Sequence, residues 1–200
     1  MTDLVILVGG RGKRLGKITE KIPKPLVQIG NIKFLDILIS KIIRFNFENI
    51  YLMCSYQKKK FFRLYHNKKV HNSKVICIDE GYQKDTAGGL IRLKEKIKKN
   101  FFLINGDSLF DIDLKKLIKF KNSKTIGNIA IAKNRNYKKN DKLNNIKIGN
   151  SNIISYSKLK TNLMNGGIYF FKKKIFKYLS NTKISLENDI LKKLIYNNKI

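Results

Sequence analysis

The chain has 200 residues, of which 42% are hydrophobic and only two are proline, a composition that argues against a disordered chain and suffices for one domain with its own core. Its 43 basic and 14 acidic residues give a net charge of +29. Such a charge fits a binder of nucleic acid or of a membrane surface. However, the lysines lie along the whole sequence, and the runs at 58–60 and 172–174 are not interleaved with stacking aromatic residues in the pattern of a nucleic-acid-binding module. We therefore favour compositional drift, with a basic surface that would still attract anionic substrates.

The cysteines, histidines and apolar runs further limit the possible classes of protein. Cys54 and Cys77 lie in separate apolar runs, which predicts buried, reduced side chains. His66 and His71 have no partner at the spacing of metal ligands. The amino terminus leads directly into a strand and no apolar stretch is long enough to cross a bilayer, so we expect a cytoplasmic protein without a membrane partner.

Short apolar runs alternate with amphipathic stretches along the chain. The predicted strands lie at 4–8, 49–55, 74–79, 101–105, 127–132 and 166–171, with a hairpin at 144–157. The predicted helices lie at 35–43, 57–65, 86–98, 113–120 and 185–195. This alternation indicates one α/β domain over residues 1–200, with a parallel sheet covered by helices on both faces. Ligands of such sheets bind at the carboxyl ends of strands, which here follow Val8, Ile78 and Asn105.

The loop after the first strand reads "GGRGKRLG" (9–16) and is followed by "PKPL" (23–26). It does not fit the P-loop, because Arg14 stands where Ser or Thr is needed, nor the dinucleotide fingerprint, because Leu15 stands in the place of the third glycine. Glycines let main-chain N–H groups approach phosphates, and Arg14 and Lys24 can bring two cations to a triphosphate. The alternative is a plain strand-to-helix turn with solvated cations.

This combined pattern resembles the signature of the sugar-1-phosphate nucleotidyltransferases, usually G-G-x-G-T-R-L with P-K-P shortly after. The resemblance implies a three-layer α/β/α Rossmann-like nucleotide-diphospho-sugar transferase fold with a mostly parallel central sheet. It also implies triphosphate binding by Arg14 and Lys24 and nucleotide binding by the loop residues Gly9, Gly10, Gly12 and Lys13. Lys13 departs from the pattern, since a charge replaces the usual hydroxyl of Thr.

Two further segments resemble the same family. "LINGDSLFDIDL" (103–114) resembles its metal-binding strand end, which implies that Asp107 holds Mg²⁺; an Asx-turn is the local alternative. The D-x-D at 111–113 also resembles a glycosyltransferase motif, but we interpret it as the lead-in and cap of the next helix. "EGYQKDTAGGL" (80–90) resembles E-x-x-P-L-G-T-A-G-G-L, which implies nucleotide contacts at Glu80 and Gly88. Lys84 and Asp85 depart from that pattern, and a capped helix start explains it equally well.

The last third of the chain resembles the family's sugar-binding segments. "IISYSKLKTNLMNGGIYFF" (153–171) resembles V-x-x-F-x-E-K…N-G-G-I-Y-x-F, although Ser157 replaces the usual Glu. The resemblance implies that Lys158 faces the sugar phosphate and that Asn165 and Gly166 lie near sugar hydroxyls. "SLENDILKKL" (185–194) resembles S-L-E-x-D-x-x-P-x-L, which implies that Glu187 accepts hydrogen bonds from sugar hydroxyls. The family then continues into a strand with D-I-G-T-P, whose Asp is the second metal ligand. We expect the chain to lack that end, which leaves open truncation, metal binding by Asp107 with water and phosphate oxygens alone, or impaired activity.

Among its subgroups, the chain most resembles the D-glycero-D-manno-heptose 1-phosphate guanylyltransferases. The implied reaction joins an NTP, here GTP, to a sugar 1-phosphate with Mg²⁺, and releases pyrophosphate and an NDP-sugar for lipopolysaccharide or capsule synthesis. No covalent protein nucleophile is needed. The implied partners are NTP and sugar 1-phosphate, with no specific nucleic acid and with homo-oligomerisation left open. Three alternatives remain: another hexose-1-phosphate nucleotidyltransferase using TTP, CTP or UTP, a catalytically weakened nucleotide-binding homologue, and a basic nucleic-acid-binding protein.

Overall fold

A seven-stranded sheet runs through the centre of the computed structural model, which describes residues 1–12, 15–81, 85–120, 122–133, 146–149, 154–157 and 161–200. In chain order, the strands of the described residues are β1 (Thr2–Leu7), β2 (Gln28–Ile29), β3 (Ile32–Lys33), β4 (Phe47–Cys54), β5 (Lys69–Val70), β6 (Ser73–Asp79), β7 (Phe101–Asn105), β8 (Gly127–Lys133), β9 (Ile146–Ile148), β10 (Ile154–Tyr156) and β11 (Leu163–Phe171). They comprise the seven of this sheet and the two separate pairs β2–β3 and β9–β10. All the predicted strands are confirmed to within a few residues. The predicted hairpin is the β9–β10 pair, whose turn at 150–153 lies outside the described residues.

The sheet order is β5-β6-β4-β1-β7-β11-β8. The four central strands β6, β4, β1 and β7 are parallel to one another. β11 runs antiparallel between β7 and β8, and β5 runs antiparallel to β6 at the other edge. The mostly parallel sheet predicted from the sequence is therefore confirmed.

Helices cover both faces of this sheet. They are α1 (Lys17–Lys21), α2 (Phe34–Ile42), α3 (Lys58–Tyr65), α4 (Asp85–Gly88) and α5 (Lys192–Tyr196), with 3-10 segments at Lys24–Leu26, Ile43–Phe45, Gly89–Leu93, Leu114–Leu117 and Lys173–Tyr178 and a π-helix at Leu186–Leu191. Alternate residues of β1 face opposite layers, as strand geometry requires. Leu4 and Ile6 pack with α2 and α3, whereas Val5 packs with α4, the 186–191 segment and α5. The chain is thus a three-layer α/β/α sandwich.

Three predicted helices differ in form from the expectation. The helix predicted at 86–98 is one α-turn followed by a 3-10 segment that ends at Leu93, because the consecutive glycines 88 and 89 weaken an α-helix. The helix predicted at 113–120 is a short 3-10 segment, although the side chain of Asp113 accepts from the N–H of Lys115 as its cap. The last helix opens with a π-turn, in which the Ser185 carbonyl accepts from two successive N–H groups.

Two further features concern the cysteines and the lengths of the helices. Cys54 and Cys77 are buried free thiols, as predicted. Within the described ranges, the structure contains no helix with the length and apolar character needed to cross a membrane.

The carboxyl ends of the parallel strands meet at one edge of the sheet, as expected. β1 has β4 on one side and β7 on the other, so the strand order reverses there and opens the crevice in which α/β proteins bind ligands. The Gly106 N–H donates to the Leu7 carbonyl at 2.9 Å, which holds the loops after β1 and β7 together. A Cβ on Gly106 would lie 2.6 Å from that carbonyl oxygen, so a larger residue cannot enter without a backbone shift.

Gly106→Ala is therefore expected to lower the free energy of unfolding by about 1–3 kcal/mol through overpacking against rigid backbone. Gly10→Ala is the matched control, because a Cβ there would meet nothing within 4 Å, and we expect its unfolding free energy to stay near that of the unsubstituted chain. Urea unfolding of both variants measures the difference. Equal stabilities would contradict the assigned close approach at Gly106.

Candidate functional site

The glycine loop after β1 is tied to the helix that follows it. The buried hydroxyl of Thr19, on α1, donates to the carbonyls of Gly12 and Gly16 at 3.0 and 3.1 Å. Gly12 has φ +63°, and a Cβ on it would lie 2.9 Å from the Cβ of Lys24. A side chain at position 12 would thus be strained and would push against Lys24. The neighbouring predicted residues Lys13 and Arg14 lie outside the described residues.

Lys24 and Asp107 are brought into direct contact. Lys24 opens a 3-10 segment directly after Pro23, whose φ is −55°, and Asp107 lies two residues beyond the end of β7. The Lys24 Nζ lies 2.7 Å from the Asp107 Oδ2, and the two side chains are 32% and 38% exposed. Because both remain partly solvated, the pair contributes about 1 kcal/mol or less to stability. Each group is therefore available to a stronger partner.

A shallow cavity of about 160 Å³ lies beside this ion pair. Its apolar walls are formed by Leu15, Val27, Ile29 and Phe34. The charged residues that line the cavity are Lys24 and Asp107. A ligand in this cavity would meet a cation and a carboxylate side by side.

Glu80 is buried where two of the predicted nucleotide-binding loops meet. Its side chain is 8% exposed, and its N–H donates to the Cys54 carbonyl at 2.9 Å. A Cβ on Gly9 would lie 2.4 Å from the Glu80 Oε2, and one on Gly89 would lie 2.8 Å from the Glu80 Cγ. Glycine at both positions is therefore what lets the Glu80 side chain fill the gap between the loops.

Burial, with a smaller contribution from the charge of Asp79, raises the pKa of Glu80 to about 7. Asp79 behaves in the opposite way. Its hydrogen bond from the Lys58 Nζ, at 2.6 Å, holds the pKa of Asp79 below its usual range. The pKa values of two adjacent carboxyl groups thus shift in opposite directions, because one group is buried and the other has a cationic partner.

The "TAGG" and "SLEND" segments, about 100 residues apart, are joined by hydrogen bonds. The Thr86 Oγ1 donates to the Glu187 Oε2 at 3.1 Å and accepts from the Leu186 N–H at 2.8 Å. The N–H groups of Ala87 and Gly88 both donate to the Ile184 carbonyl. These bonds fix Glu187 next to α4 and place Gly88 in the buried end of that helix.

Asn165 and Gly166 lie in β11 where its pairing with β8 is irregular. The Asn165 side chain donates to the Tyr169 hydroxyl at 2.7 Å and accepts from the Gly167 N–H at 2.8 Å. A Cβ on Gly166 would lie 2.8 Å from the Ala130 carbonyl oxygen. Both residues thus shape this irregularity, and their contact with a sugar stays a prediction. Lys158 lies outside the described residues.

Among the described residues no group of three or more His, Cys, Asp or Glu side chains could enclose a metal ion. The structure therefore gathers Lys24, Asp107 and the Gly9–Gly12 loop, with Glu80 between that loop and α4. Sequence reasoning missed Thr19 and Tyr56, which hold this loop, because they belong to no motif and their hydrogen bonds to Gly12 and Gly9 span 7 and 47 residues, respectively.

Glu80 predicts a specific pH dependence of stability. Because its folded pKa of about 7 exceeds the reference value of 4.5, the stability linked to its proton is complete below about pH 4.5 and is lost as pH rises through about 7. Glu80→Gln has no titratable group at this position, so its stability does not fall in this way. Between pH 5 and pH 8 its unfolding free energy should therefore gain up to about 3 kcal/mol relative to that of the unsubstituted chain. Urea unfolding across this range measures the gain, with the exposed Glu95→Gln as the control for loss of one negative charge. Parallel curves for Glu80→Gln and the unsubstituted chain would contradict the burial argument.

Comparison with known proteins identifies the family. The nucleotidyl transferase family model matches residues 4–198. The Bifunctional protein GlmU of Methanocaldococcus jannaschii is 32% identical over 208 residues, which cover 99% of this chain and 48% of that protein, so the chain spans about half the length of this relative. The D-glycero-alpha-D-manno-heptose 1-phosphate guanylyltransferase of Campylobacter jejuni is 30% identical over 86% of this chain and 76% of its own.

A solved structure is similar in both fold and sequence. HddC from Yersinia pseudotuberculosis, complexed with GMP-PN, superposes with a TM-score of 0.76 and 29% identity, over 96% of this chain and 86% of that one. The family match spans the glycine loop, Lys24, Asp107 and the joined "TAGG" and "SLEND" segments alike. The chain therefore belongs to the nucleotidyl transferase family.

Proposed function

We propose that the chain joins a nucleoside triphosphate to a sugar 1-phosphate and releases pyrophosphate. The observation that carries this proposal is the Lys24–Asp107 pair, with Nζ and Oδ2 2.7 Å apart, beside the glycine loop at the crevice of the sheet. A cation and a carboxylate at this place can act on a triphosphate and on its metal ion, respectively. Membership of the nucleotidyl transferase family supports the same reaction class.

In the proposed reaction an oxygen of the sugar 1-phosphate attacks the α-phosphorus of the triphosphate. The bond from that phosphorus to the bridging oxygen of the β-phosphate breaks, and pyrophosphate leaves with the electron pair. Lys24, together with Arg14, neutralises the charge that grows on the leaving group. The glycine loop presents main-chain N–H groups to the phosphates, and the protein contributes position and charge without a covalent intermediate.

Asp107 fits the role of a magnesium ligand. Mg²⁺ in nucleotide sites is commonly held by one or two carboxylates, with phosphate oxygens and water completing its shell, so the Asp107 carboxylate beside Lys24 is compatible with it. When bound, the ion would neutralise phosphate charge. The Lys24 ammonium already contacts the carboxylate of Asp107. We therefore expect Lys24 to exchange Asp107 for phosphate oxygens when the nucleotide binds.

For the substrates we propose GTP and D-glycero-D-manno-heptose 1-phosphate. The names of the Campylobacter jejuni relative and of the HddC complex with GMP-PN support this choice. Lys158 would contact the phosphate of the sugar 1-phosphate, and Asn165, Gly166 and Glu187 would contact the sugar itself. The second candidate is another sugar 1-phosphate, since the GlmU protein of Methanocaldococcus jannaschii is 32% identical and its name includes no heptose.

The deciding experiment is pyrophosphate release with Mg²⁺, measured for the four NTPs against a panel of sugar 1-phosphates. We expect the highest kcat/KM for GTP with the heptose 1-phosphate. Preference for another pair would favour the second candidate. Nucleotide binding without pyrophosphate release would indicate a weakened homologue, and salt-sensitive DNA binding without NTP binding would indicate a nucleic-acid-binding protein.

Lys24→Ala tests the central assignment. Loss of a cation at the developing charge should lower kcat/KM by about a hundredfold or more, whereas the fold should persist because the ion pair is solvated and weak. Lys17→Ala removes an exposed cation from the neighbouring helix α1 and should keep kcat/KM within about twofold. Steady-state pyrophosphate release and circular dichroism measure both variants. Turnover of Lys24→Ala at the level of the unsubstituted enzyme would remove Lys24 from the mechanism.

A further inference from the structure

We propose that Tyr56 is a positioning residue that holds both ends of the segment 9–20, and thereby aims the glycine loop and Lys24 at the triphosphate. This inference rests on the proposed function and assigns a role to a residue that belongs to no recognised motif. Tyr56 lies just beyond the end of β4, at the same edge of the sheet as the loop.

Tyr56 contacts the segment at its beginning and at its end. Its main-chain N–H donates to the Gly9 carbonyl at 3.2 Å. Its hydroxyl donates to the Glu20 carbonyl at 2.7 Å and lies 3.1 Å from the Thr19 carbonyl. The guanidinium of Arg11, near the start of the segment, lies 5.6 Å from the centre of the Tyr56 ring, within cation–π range. One residue therefore contacts both the start of the glycine loop and the helix after it.

The residues next to Tyr56 complete this attachment. The Gln57 Nε2 donates to the Tyr56 hydroxyl at 2.9 Å and to the Glu20 carbonyl at 3.0 Å. The Lys60 Nζ donates to the Lys21 carbonyl. These side chains supply donors to the last carbonyls of α1, which a helix cannot satisfy internally. The five-residue α1 is also too short to be stable alone, so its position depends on such contacts.

The position of α1 determines that of the phosphate-binding groups. Thr19, on α1, holds the carbonyls of Gly12 and Gly16 with its hydroxyl. Lys24 follows the end of α1 by three residues and packs against Gly12. A shift of α1 would therefore displace the loop and Lys24 together. The carboxylate of Glu187, assigned to the sugar, is held instead by Thr86.

From this arrangement we expect Tyr56 to affect the binding of the nucleotide and not that of the sugar 1-phosphate. Tyr56→Phe removes the hydroxyl and keeps the ring and the main-chain N–H, so the protein should fold. Loss of the hydrogen bond that the hydroxyl donates to the Glu20 carbonyl, and of the one it accepts from the Gln57 Nε2, should weaken the affinity for a non-hydrolysable GTP analogue by about three- to tenfold. KM for GTP should rise by a similar factor, while KM for the sugar 1-phosphate should stay unchanged. Amide hydrogen exchange over residues 15–22 should become faster.

Tyr65→Phe is the matched control. It also removes one partly buried hydroxyl, which contacts the Asp36 Oδ1 at 2.6 Å, but on the far end of α3. We expect it to lower the melting temperature about as much as Tyr56→Phe does. Its affinity for the GTP analogue and its exchange over residues 15–22 should match those of the unsubstituted chain.

Unchanged analogue affinity and exchange in Tyr56→Phe would overturn the proposal, as would an equal loss of affinity in Tyr65→Phe or an equal rise of both KM values in Tyr56→Phe. The analogue-binding and exchange measurements need no turnover. If the unsubstituted chain binds the analogue but releases no pyrophosphate with any substrate pair, the proposed reaction fails while the role of Tyr56 is still decided. If it binds no nucleotide, both proposals fall.

Discussion

The parallel pairing of β1 with β7 is the constraint on which the site depends. It aligns Leu7 with Asn105, and the backbone hydrogen bond from Gly106 to Leu7 then brings the loops that follow the two strands together. Lys24 and Asp107, separated by 83 residues in the sequence, meet only because of this alignment. The close approach requires glycine at position 106, since a Cβ would contact the Leu7 carbonyl. The strand order thus creates the crevice, and a small residue keeps it narrow.

Around this crevice, hydrogen bonds and burial of polar groups join loops that the sheet alone would leave separate. Thr86 connects α4 to Glu187, and Tyr56 connects the end of β4 to the glycine loop. Glu80 fills the gap between two glycines, although its burial is unfavourable when the carboxyl group is ionised. Such a cost is common at functional sites, where a strained or buried polar group is retained because it places neighbouring groups. The buried Glu80 carboxyl group thus supports the geometry of the loops, although its burial lowers the stability of the fold.

Because of the large positive charge, carboxylates and phosphate oxygens compete for lysine side chains at the site. With 43 basic and 14 acidic residues, exposed carboxylates find lysine partners easily, as Asp79 does with Lys58 and Asp107 with Lys24. These pairs are solvated and contribute little free energy, so phosphate oxygens with a higher charge can replace a carboxylate as the partner of Lys24. The surplus of cations would also raise the local concentration of anionic substrates. A net charge of +29 is thus compatible with an enzyme of nucleotides and sugar phosphates without any nucleic-acid partner.

The sequence by itself determined the local elements and the family. Strands β1, β4, β6 and β7, the Asp113 cap and the glycine loop all follow from residues within a few positions of one another, because strand period, capping and turn chemistry are local effects. Tertiary structure alone decided the Lys24–Asp107 contact, the burial of Glu80 and the reach of Tyr56 across the glycine loop. These contacts depend on strand order and register, which bring distant residues together and leave no periodic trace in the sequence. The 3-10 form of residues 89–93 likewise shows glycine and packing prevailing over a helical pattern.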